Sequence, residues 1–414
     1  MPLREPASGG AGDGALPPER HEPPEAWTAL ATPRCAPLLE ALAGIATAPA
    51  PATIQRLRRT HDAAEVAAAV ELSMARTRAR AKFGEAAATL WADRRGVEMA
   101  SGPRVAAWKA RRFAAAGAGD ARPVADLCCG IGGDLMALSR VAAAHGVDRD
   151  PLRAWMAACN SGARTRCADA VAQPCEATFA HADPARRVED GRRLLRSDEL
   201  LPTLAQVRAA TQRCAGVAVK LGPGMDLAPE ELRAGDELEF ISEDGVLVQQ
   251  VQWSGVLAGA SARTATRACC GLTVSGTASV VPVASHPGVF ARALFVPDPA
   301  LERARLLGAV AARHALAEPA AGLGILTGEA TAQQLGADAA WFERFEVVEV
   351  LPAREATVAA WLAQRDAGIV TVRTRGGACD PDAWQRALRG RGATPWTVFV
   401  LRLGDARRAV VVRE

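Results

Sequence analysis

The sequence predicts an α/β fold: a mostly parallel sheet, preceded by a helical region and followed by a smaller α+β module. Two observations support this prediction. Between residues 124 and 220, short apolar segments alternate with helical segments, which is the pattern of parallel strands joined by crossover helices. Between residues 239 and 253, two strand-like segments flank the turn Glu243-Asp244-Gly245, which predicts a β-hairpin at an antiparallel edge of the sheet.

The chain before the sheet is expected to contain a tail and a helical region. Residues 1–25 are rich in glycine, proline and charge, so we expect a disordered tail. Residues 26–115 have a helical pattern, in which Asp62 and Glu65 predict a helix start with reciprocal capping. That helix ends in a basic run, which is either a solvated face or a functional surface: Arg76, Arg78, Arg80 and Lys82.

Two further domains are predicted, a sheet domain at residues 116–285 and a separate α+β domain at residues 286–414. The first is expected to contain strands at 124–127, 178–182 and 216–220, two more ending at 148 and near 169, and helices at 135–144 and 151–160. Residues 255–285 support no assignment. The last domain is expected to contain helical segments at 301–316, 358–364 and 381–389, and strands at 345–351, 369–375 and 397–402.

The composition limits the class of protein. The 414 residues include 49 Lys and Arg and 46 Asp and Glu, and a net charge of +3 neither requires nor excludes a nucleic-acid partner. An apolar content of 49% excludes a wholly disordered chain. The ten cysteines form no C-x-x-C pair and have no histidine cluster beside them, so no structural zinc or other metal is predicted. Without a predicted signal peptide or membrane span, we expect a cytoplasmic protein with reduced thiols.

The strongest chemical signal is the segment D-L-C-C-G-I-G-G-D at residues 126–134, where the first predicted strand meets a helix. Its three glycines permit positive φ angles and a close approach of ligand to backbone: Gly130, Gly132 and Gly133. Open parallel sheets bind ligands outside the carboxyl ends of their strands. Four successive predicted strands end in an aspartate, which makes a purely structural role for all of them a poor explanation: Asp126, Asp148, Asp169 and Asp183.

This pattern favours S-adenosylmethionine over other nucleotide-like ligands. Leu135 occupies the place where a dinucleotide-binding fingerprint has its third small residue, and no P-loop lysine follows the turn. S-adenosylmethionine has no pyrophosphate, but it needs an adenosine site, an acid for its ribose and a partner for its amino-carboxylate. The carboxylate of Asp148 is suitably placed to accept both ribose hydroxyl hydrogens.

Residues 124–253 resemble the class I S-adenosylmethionine-dependent methyltransferases, which have a Rossmann-like sheet. Nearly the whole chain after residue 27 resembles a bacterial family of these enzymes with a C-terminal THUMP-like domain. The matching stretches are R-A-R-A-K-F (78–83), V-A-A-W-K-A-R-R-F (105–113), D-L-C-C-G-I-G-G-D (126–134), G-V-D-R-D-P (146–151), A-D-P-A-R-R (182–187), V-K-L-G-P-G-M-D (219–226) and V-R-T-R-G (372–376).

The resemblance implies a set of cofactor-binding residues. Asp126 and the three glycines would surround the methionine half, Asp148 would bind the ribose, and Asp169 would lie near the adenine amine. The complete set implied for S-adenosylmethionine is Asp126, Cys128, Gly130, Gly132, Gly133, Asp134, Asp148, Arg149 and Asp169.

The resemblance also implies an acceptor site at A-D-P-A-R-R, where many nucleic-acid methyltransferases carry D-P-P-Y or a related motif. In those motifs the polar residue binds the target amine and the final aromatic residue stacks on the base. The catalytic residues implied here are Asp183, Pro184 and Arg186, with Ala185 and Arg186 departing from the usual proline and aromatic residue. Two questions stay open: whether Lys220 orients substrate or closes its strand, and whether the basic segment Arg187, Arg192 and Arg193 contacts substrate or solvent.

The predicted function is an S-adenosylmethionine-dependent methyltransferase acting on RNA, on a tRNA or rRNA base. The alternatives are a methyltransferase of a small molecule or protein, and a non-catalytic RNA-binding protein. In the last domain, one basic cluster is either a phosphate-binding surface or a solvated face: Arg373, Arg375, Arg386, Arg389 and Arg391. No membrane partner is predicted, and the sequence predicts no oligomeric state.

Overall fold

The computed structural model describes residues 22–186, 197–278 and 282–413. The chain divides into two compact units, the first made of Met1–Pro103 with Ala125–Gln173 and the second of Arg104–Val124 with Pro174–Glu414. Most of the predicted disordered tail lies outside the described residues, and so does the basic segment 187–196.

The α-helices of the described residues are α1 (Glu25–Ala29), α2 (Ala36–Ala41), α3 (Pro51–Leu57), α4 (Ala63–Phe83), α5 (Arg94–Met99), α6 (Pro103–Ala115), α7 (Leu135–Leu138), α8 (Pro151–Ser161), α9 (Leu204–Ala210), α10 (Pro299–Arg303), α11 (Leu307–Arg313), α12 (Ala332–Leu335), α13 (Glu355–Ala363) and α14 (Pro381–Leu388). The strands are β1 (Val124–Leu127), β2 (Ala144–Asp148), β3 (Arg164–Cys167), β4 (Phe179–Ala182), β5 (Ala185–Arg186), β6 (Leu200–Leu201), β7 (Gly216–Leu221), β8 (Glu237–Glu243), β9 (Val246–Gly255), β10 (Arg263–Arg267), β11 (Leu272–Gly276), β12 (Ala293–Pro297), β13 (Leu326–Gly328), β14 (Phe342–Pro352), β15 (Ala367–Arg375), β16 (Thr394–Leu403) and β17 (Ala406–Arg413).

In the first unit, the N-terminal helices share one hydrophobic core centred on α4. This helix begins after Asp62, whose N–H donates to Glu65 Oε2 at 3.3 Å, so the predicted helix start is confirmed. Leu72 of α4 is fully buried, and the same core includes Ile131 of the predicted ligand-binding turn and Met156 of α8. The N-terminal helices therefore pack against the segment that carries the strongest chemical signal.

The strands of the first unit follow one another as β1, β2 and β3. β2 and β3 are parallel, with Asp148 opposite Cys167, as expected from the alternating pattern. Helix α8 begins at its predicted position because the side chain of Asp150 accepts from the N–H groups of Leu152 and Arg153. Helix α7 is shorter than predicted: it ends at Leu138, and turns follow it up to Ala144, where β2 begins.

In the second unit, one group of strands has the order β11-β10-β8-β9-β7-β4. β4 and β7 are parallel, β7 and β9 are antiparallel, and β8 and β9 form the predicted hairpin. β10 and β11 lie in the segment that the sequence left unassigned. The β10 threonines are buried because carboxylates of β8 accept their hydroxyl hydrogens: Thr264 donates to Glu237 at 2.6 Å and Thr266 to Glu239 at 2.5 Å.

A second sheet of this unit has six strands in the order β13-β12-β14-β17-β16-β15. The predicted strands near 345–351, 369–375 and 397–402 are present as β14, β15 and β16, and the predicted helices as α13 and α14. The sequence missed β12, β13 and β17. The predicted helical segment 301–316 is divided into α10 and α11, because Arg305 between them has a φ of +57°.

Candidate functional site

The glycine turn, residues 128–134, connects β1 to α7 and has three residues in the left-handed region. The φ angle is +60° at Cys128, +57° at Gly130 and +85° at Gly132. A Cβ atom at Gly130 would have no heavy atom within 4 Å, so backbone conformation and not crowding requires glycine there. The predicted positive φ angles are therefore confirmed at Gly130 and Gly132, and the backbone at Gly130 is accessible to a ligand.

Gly132 and Gly133 also bring the turn close to its neighbours. A Cβ at Gly132 would lie 3.0 Å from Cα of Ala157 in α8. Gly133 does not have a positive φ, contrary to the sequence-based expectation. Its Cβ would instead lie 3.1 Å from Cβ of Ala100 and from backbone atoms of Ser101, so the lack of a side chain allows close packing after α5.

Asp148 ends β2 directly beside the glycine turn. Its Oδ2 accepts from the N–H of Gly130 at 2.8 Å, and its Oδ1 accepts from the N–H of Asp150 at 3.0 Å. Its carbonyl accepts from the N–H of Ala168 at 3.0 Å, which brings the segment after β3 alongside. Burial raises the pKa of the Asp148 carboxyl above its ordinary value, and the hydrogen bonds from Asp150 and Gly130 oppose that shift.

The other predicted cofactor residues occupy different environments. Asp126 is buried within β1 and does not follow its end, whereas Arg149 and Asp169 are exposed. The Asp169 carboxylate accepts from the N–H of Val171 at 3.0 Å, which shapes the loop after β3. Asp134 is buried, and its Oδ2 accepts from the hydroxyl of Ser101 at 2.7 Å.

The basic run at the end of α4 does not form a simple solvated face. Lys82 Nζ donates to three backbone carbonyls at 2.7, 3.1 and 3.0 Å, those of Val97, Glu98 and Ala100. Arg78 forms an ion pair with Glu98 at 2.7 Å. Cations interact favourably with the carbonyl end of a helix. Lys82 therefore stabilises the C-terminal end of α5 and the segment after it, which contacts Gly133 and Asp134.

Arg76 and Asn160 stabilise the same region. Arg76 Nε donates to the carbonyl of Leu90 at 2.9 Å, and its guanidinium lies 5.5 Å from the ring centroid of Trp91. Asn160 Nδ2 donates to the carbonyls of Ile131 and Trp91, each at 2.8 Å, while its Oδ1 accepts from the N–H of Trp91 at 2.8 Å. Sequence reasoning missed Lys82, Ser101 and Asn160 as supports of the turn, because their partners are backbone or distant groups.

In the second unit, Asp183 follows β4 and forms an ion pair with Lys220 of β7. The Nζ to Oδ2 distance is 2.7 Å, with the lysine side chain 4% exposed and the aspartate side chain 20% exposed. Lys220 therefore does more than end a strand. Pro184 is buried. Arg186 pairs through its backbone with Leu200 of β6, and the structure describes only the backbone of Arg186.

A buried pair that the sequence analysis missed involves His181, two residues before Asp183. Lys109 Nζ is 3.1 Å from Nε2 of His181, and each residue is only 1% exposed. At that distance the two nitrogens share a hydrogen bond, whose direction depends on the tautomer of the histidine ring. The contact attaches α6 to β4 immediately before Asp183.

In the C-terminal sheet, the Arg373 side chain interacts with other side chains of the chain. Its guanidinium pairs with Glu343 and lies 5.1 and 5.7 Å from the ring centroids of Phe345 and Phe399. Three other arginines of the predicted cluster are exposed on and after α14: Arg386, Arg389 and Arg391. None of the helices in the described ranges combines the length and apolar character needed to cross a membrane.

A glycine turn after the first strand and an acid at the end of the second define the nucleotide-binding region of a Rossmann-like α/β enzyme. Comparisons with known proteins identify its class. Two curated proteins of Mycobacterium tuberculosis, one from each of two strains, are 32% identical to this chain over 81% of its length and 92% of theirs. Both are named uncharacterized S-adenosylmethionine-dependent methyltransferases. This chain belongs to the same S-adenosylmethionine-dependent methyltransferase family, with a THUMP-like domain at its C-terminus.

Two family models and a solved structure also match parts of this chain. Residues 342–414 match the family model described as THUMP domain-like, and residues 23–80 match a domain of unknown function (DUF8688). A crystal structure of a Porphyromonas gingivalis protein described as a methyltransferase shares the fold, with a TM-score of 0.64 at 17% identity. That similarity covers 87% of this chain and 97% of the other.

Proposed function

We propose that this protein transfers a methyl group from S-adenosylmethionine to a base of RNA, with the cofactor bound at the glycine turn. The main observation is the placement of Asp148 beside Gly130: its carboxyl group lies next to a backbone position that is open to a ligand. Each carboxylate oxygen has two lone pairs, so Asp148 can retain its two backbone hydrogen bonds and still accept from ribose hydroxyls.

The bound cofactor would supply an electrophilic methyl group, and the protein would bind and orient both reactants. We assign the ribose to Asp148 and the methionine half to the glycine turn. The remaining proposed contacts follow the family resemblance: Asp126, Cys128, Asp134, Arg149 and Asp169. The ion pair with Lys220 orients the Asp183 carboxylate, so Asp183 is suited to accept an N–H of the acceptor and direct its lone pair.

RNA is the preferred acceptor because the C-terminal residues match a THUMP domain-like model. The engagement of Arg373 by Glu343 and two aromatic rings removes one proposed phosphate ligand, so the exposed residues Arg386, Arg389 and Arg391 become the proposed contacts. The second candidate function is methylation of a small molecule or protein, for which this loss of one phosphate ligand leaves more room. The domain boundaries at 116 and 286 and a cytoplasmic location also remain proposals.

The experiment that tests this function compares modified nucleosides in RNA from a deletion strain and its parent by mass spectrometry. We expect one methylated nucleoside to be absent from the deletion strain and restored by the intact gene. A gene encoding Asp183→Ala should not restore it. An identical set of methylated nucleosides in the two strains would contradict RNA as the acceptor and favour the second candidate.

The affinity for S-adenosylmethionine is expected to depend on pH through Asp148. Burial raises the pKa of this carboxyl, so the residue becomes protonated at a higher pH than an ordinary aspartate. The ionised form accepts the ribose hydroxyls, so affinity should be full above the raised pKa and should decrease as pH falls through it. Calorimetric titrations at a series of pH values measure this, and Asp148→Asn should bind weakly with no such dependence.

Removal of the Lys82 ammonium should weaken cofactor binding, although Lys82 is not one of the proposed cofactor-binding residues. Lys82→Met eliminates three hydrogen bonds to the segment that positions Gly133 and Asp134, and we expect affinity for S-adenosylmethionine to fall about tenfold, or ~1.4 kcal/mol. Arg80→Met on the exposed side of the same helix is the matched control. Calorimetry that shows equal affinities for the two variants would contradict the supporting role, and Lys82→Arg should restore part of the binding.

A further inference from the structure

Cys35, His61 and Glu65 form a largely buried cluster in the N-terminal helices. One potential ligand atom from each residue lies within 4.8 Å of the other two. Cys35 is completely buried, Glu65 is 5% exposed, and the His61 side chain is 10% exposed. The three residues come from the short helical turn before α2, the loop before α4 and the first turn of α4.

His61 provides a second, independent observation. Its Nδ1 is buried and has no hydrogen-bond partner among the described residues, and it lies 3.9 Å from Glu65 Oε2. A buried polar atom without a partner is destabilising, so such atoms are rare in folded proteins. It faces a carboxylate and a thiol, so three potential metal-ligand atoms converge at this place.

The partners of Glu65 are compatible with this ligand. The Arg34 guanidinium contacts both carboxylate oxygens, and it lowers the pKa of Glu65, which keeps the group ionised. Oε2 also accepts from Arg34 Nη1 at 3.1 Å and from the N–H of Asp62 at 3.3 Å, so binding of a cation at Oε2 would replace one of these two hydrogen bonds while Arg34 stays on Oε1. Residues that hydrogen-bond a ligating carboxylate in this way commonly orient it toward the metal.

We propose that this cluster binds a zinc ion through Cys35 Sγ, His61 Nδ1 and a Glu65 oxygen, with water as the fourth ligand. A thiolate combined with an imidazole favours zinc over magnesium or calcium, which prefer oxygen ligands. Tetrahedral zinc requires ligand atoms about 3.3–3.8 Å apart, so the side chains must approach one another by roughly 1 Å. The Cys35 thiol releases its proton to solvent when the metal binds.

The proposed zinc would connect the chain at residue 35 to the start of α4, the helix whose other end carries Lys82. It would therefore be a structural site that stabilises α4, the helix whose Lys82 holds the segment next to the glycine turn. The sequence-based expectation of no metal relied on the absence of a short ligand spacing. Here the ligand positions are far apart along the chain and converge only through helix packing.

The test uses the full-length protein, stripped with a chelator and then reconstituted with Zn²⁺ or Co²⁺ under reducing conditions. Metal content is measured by mass spectrometry, and Co²⁺ titration is followed through its thiolate charge-transfer absorption. We expect one Zn²⁺ per chain and a thiolate–cobalt band. Both should be lost in Cys35→Ser and His61→Gln and retained in the control Cys159→Ser, whose thiol is exposed.

Arg34→Gln serves as a variant with an intact set of ligands. Its zinc affinity should fall about 10–100-fold, as expected for loss of a residue that orients a ligand. No bound metal after reconstitution of the wild-type chain would overturn the proposal. Metal that persists in both Cys35→Ser and His61→Gln would also overturn it, because the ion would then be bound elsewhere.

Discussion

Replacing Asp183 by alanine is expected to reduce the rate of methyl transfer at least about 100-fold while leaving cofactor affinity within a few-fold of wild type. The Lys220 ammonium holds Asp183 Oδ2 at 2.7 Å, so the carboxylate has a fixed position from which to orient an acceptor. The assay measures transfer of a labelled methyl group to RNA from a deletion strain, and calorimetry measures S-adenosylmethionine binding.

Two further variants make this result specific to Asp183. Lys220→Met retains the carboxylate but removes the group that orients it, so its rate should lie between those of wild type and Asp183→Ala. Asp405→Ala alters an exposed carboxylate in the turn between β16 and β17 and should leave the rate unchanged. A parallel loss of cofactor affinity in Asp183→Ala would show that this residue serves the cofactor or the fold and not the acceptor.

The largest expected effect on stability is that of Glu239→Ala. Glu239 is 1% exposed, and its carboxylate accepts from the Trp108 and Trp253 indoles at 2.7 and 2.8 Å and from the Thr266 hydroxyl at 2.5 Å. Its removal leaves these three donors without their acceptor, and each such loss costs about 1–3 kcal/mol. We therefore expect a loss of at least about 3 kcal/mol in the free energy of unfolding, seen as a lower urea midpoint.

The matched control for Glu239 is a glutamate on the surface of the same unit. Glu346 is paired with Arg292 at 3.7 Å, and both side chains are more than half exposed. Glu346→Ala should change the free energy of unfolding by no more than about 0.5 kcal/mol. Similar urea midpoints for the two variants would contradict the importance of the buried carboxylate network that joins α6 to the strands β8, β9 and β10.

The helix and strand signals in the sequence were reliable where local chemistry determined the structure. The capping pair Asp62 and Glu65 predicted the start of α4, and the acidic turn after β8 predicted a hairpin. Strands β10 and β11 were missed because their buried threonines appear polar without knowledge of the carboxylates that satisfy them. The helical segment after residue 301 was predicted as continuous, although Arg305 interrupts it.

In the candidate site too, features set by local chemistry were predicted and features set by distant contacts were not. The glycines and Asp148 were identified because a tight turn and an acid at a strand end have recognisable local patterns, and the structure places Gly130 and Asp148 in hydrogen-bond contact. The reason for glycine at position 133 could not be predicted, since it depends on contact with Ala100 and Ser101. The hydrogen bonds from Lys82 to the end of α5 could not be predicted either. A lysine in a basic run looks the same in the sequence whether its ammonium is hydrated or bound to carbonyls.

The alternating α/β architecture, the glycine turn and the aspartate that ends β2 could be predicted from the sequence, because periodicity and turn chemistry act over a few residues. Which polar side chains have partners depends on the tertiary structure. Lys220 orients Asp183, Glu239 joins two tryptophans and a threonine, and Cys35 meets His61 across a gap of many residues. The physical reason is that the cost of burying a polar group depends on which groups lie beside it in space, and that proximity is set by packing.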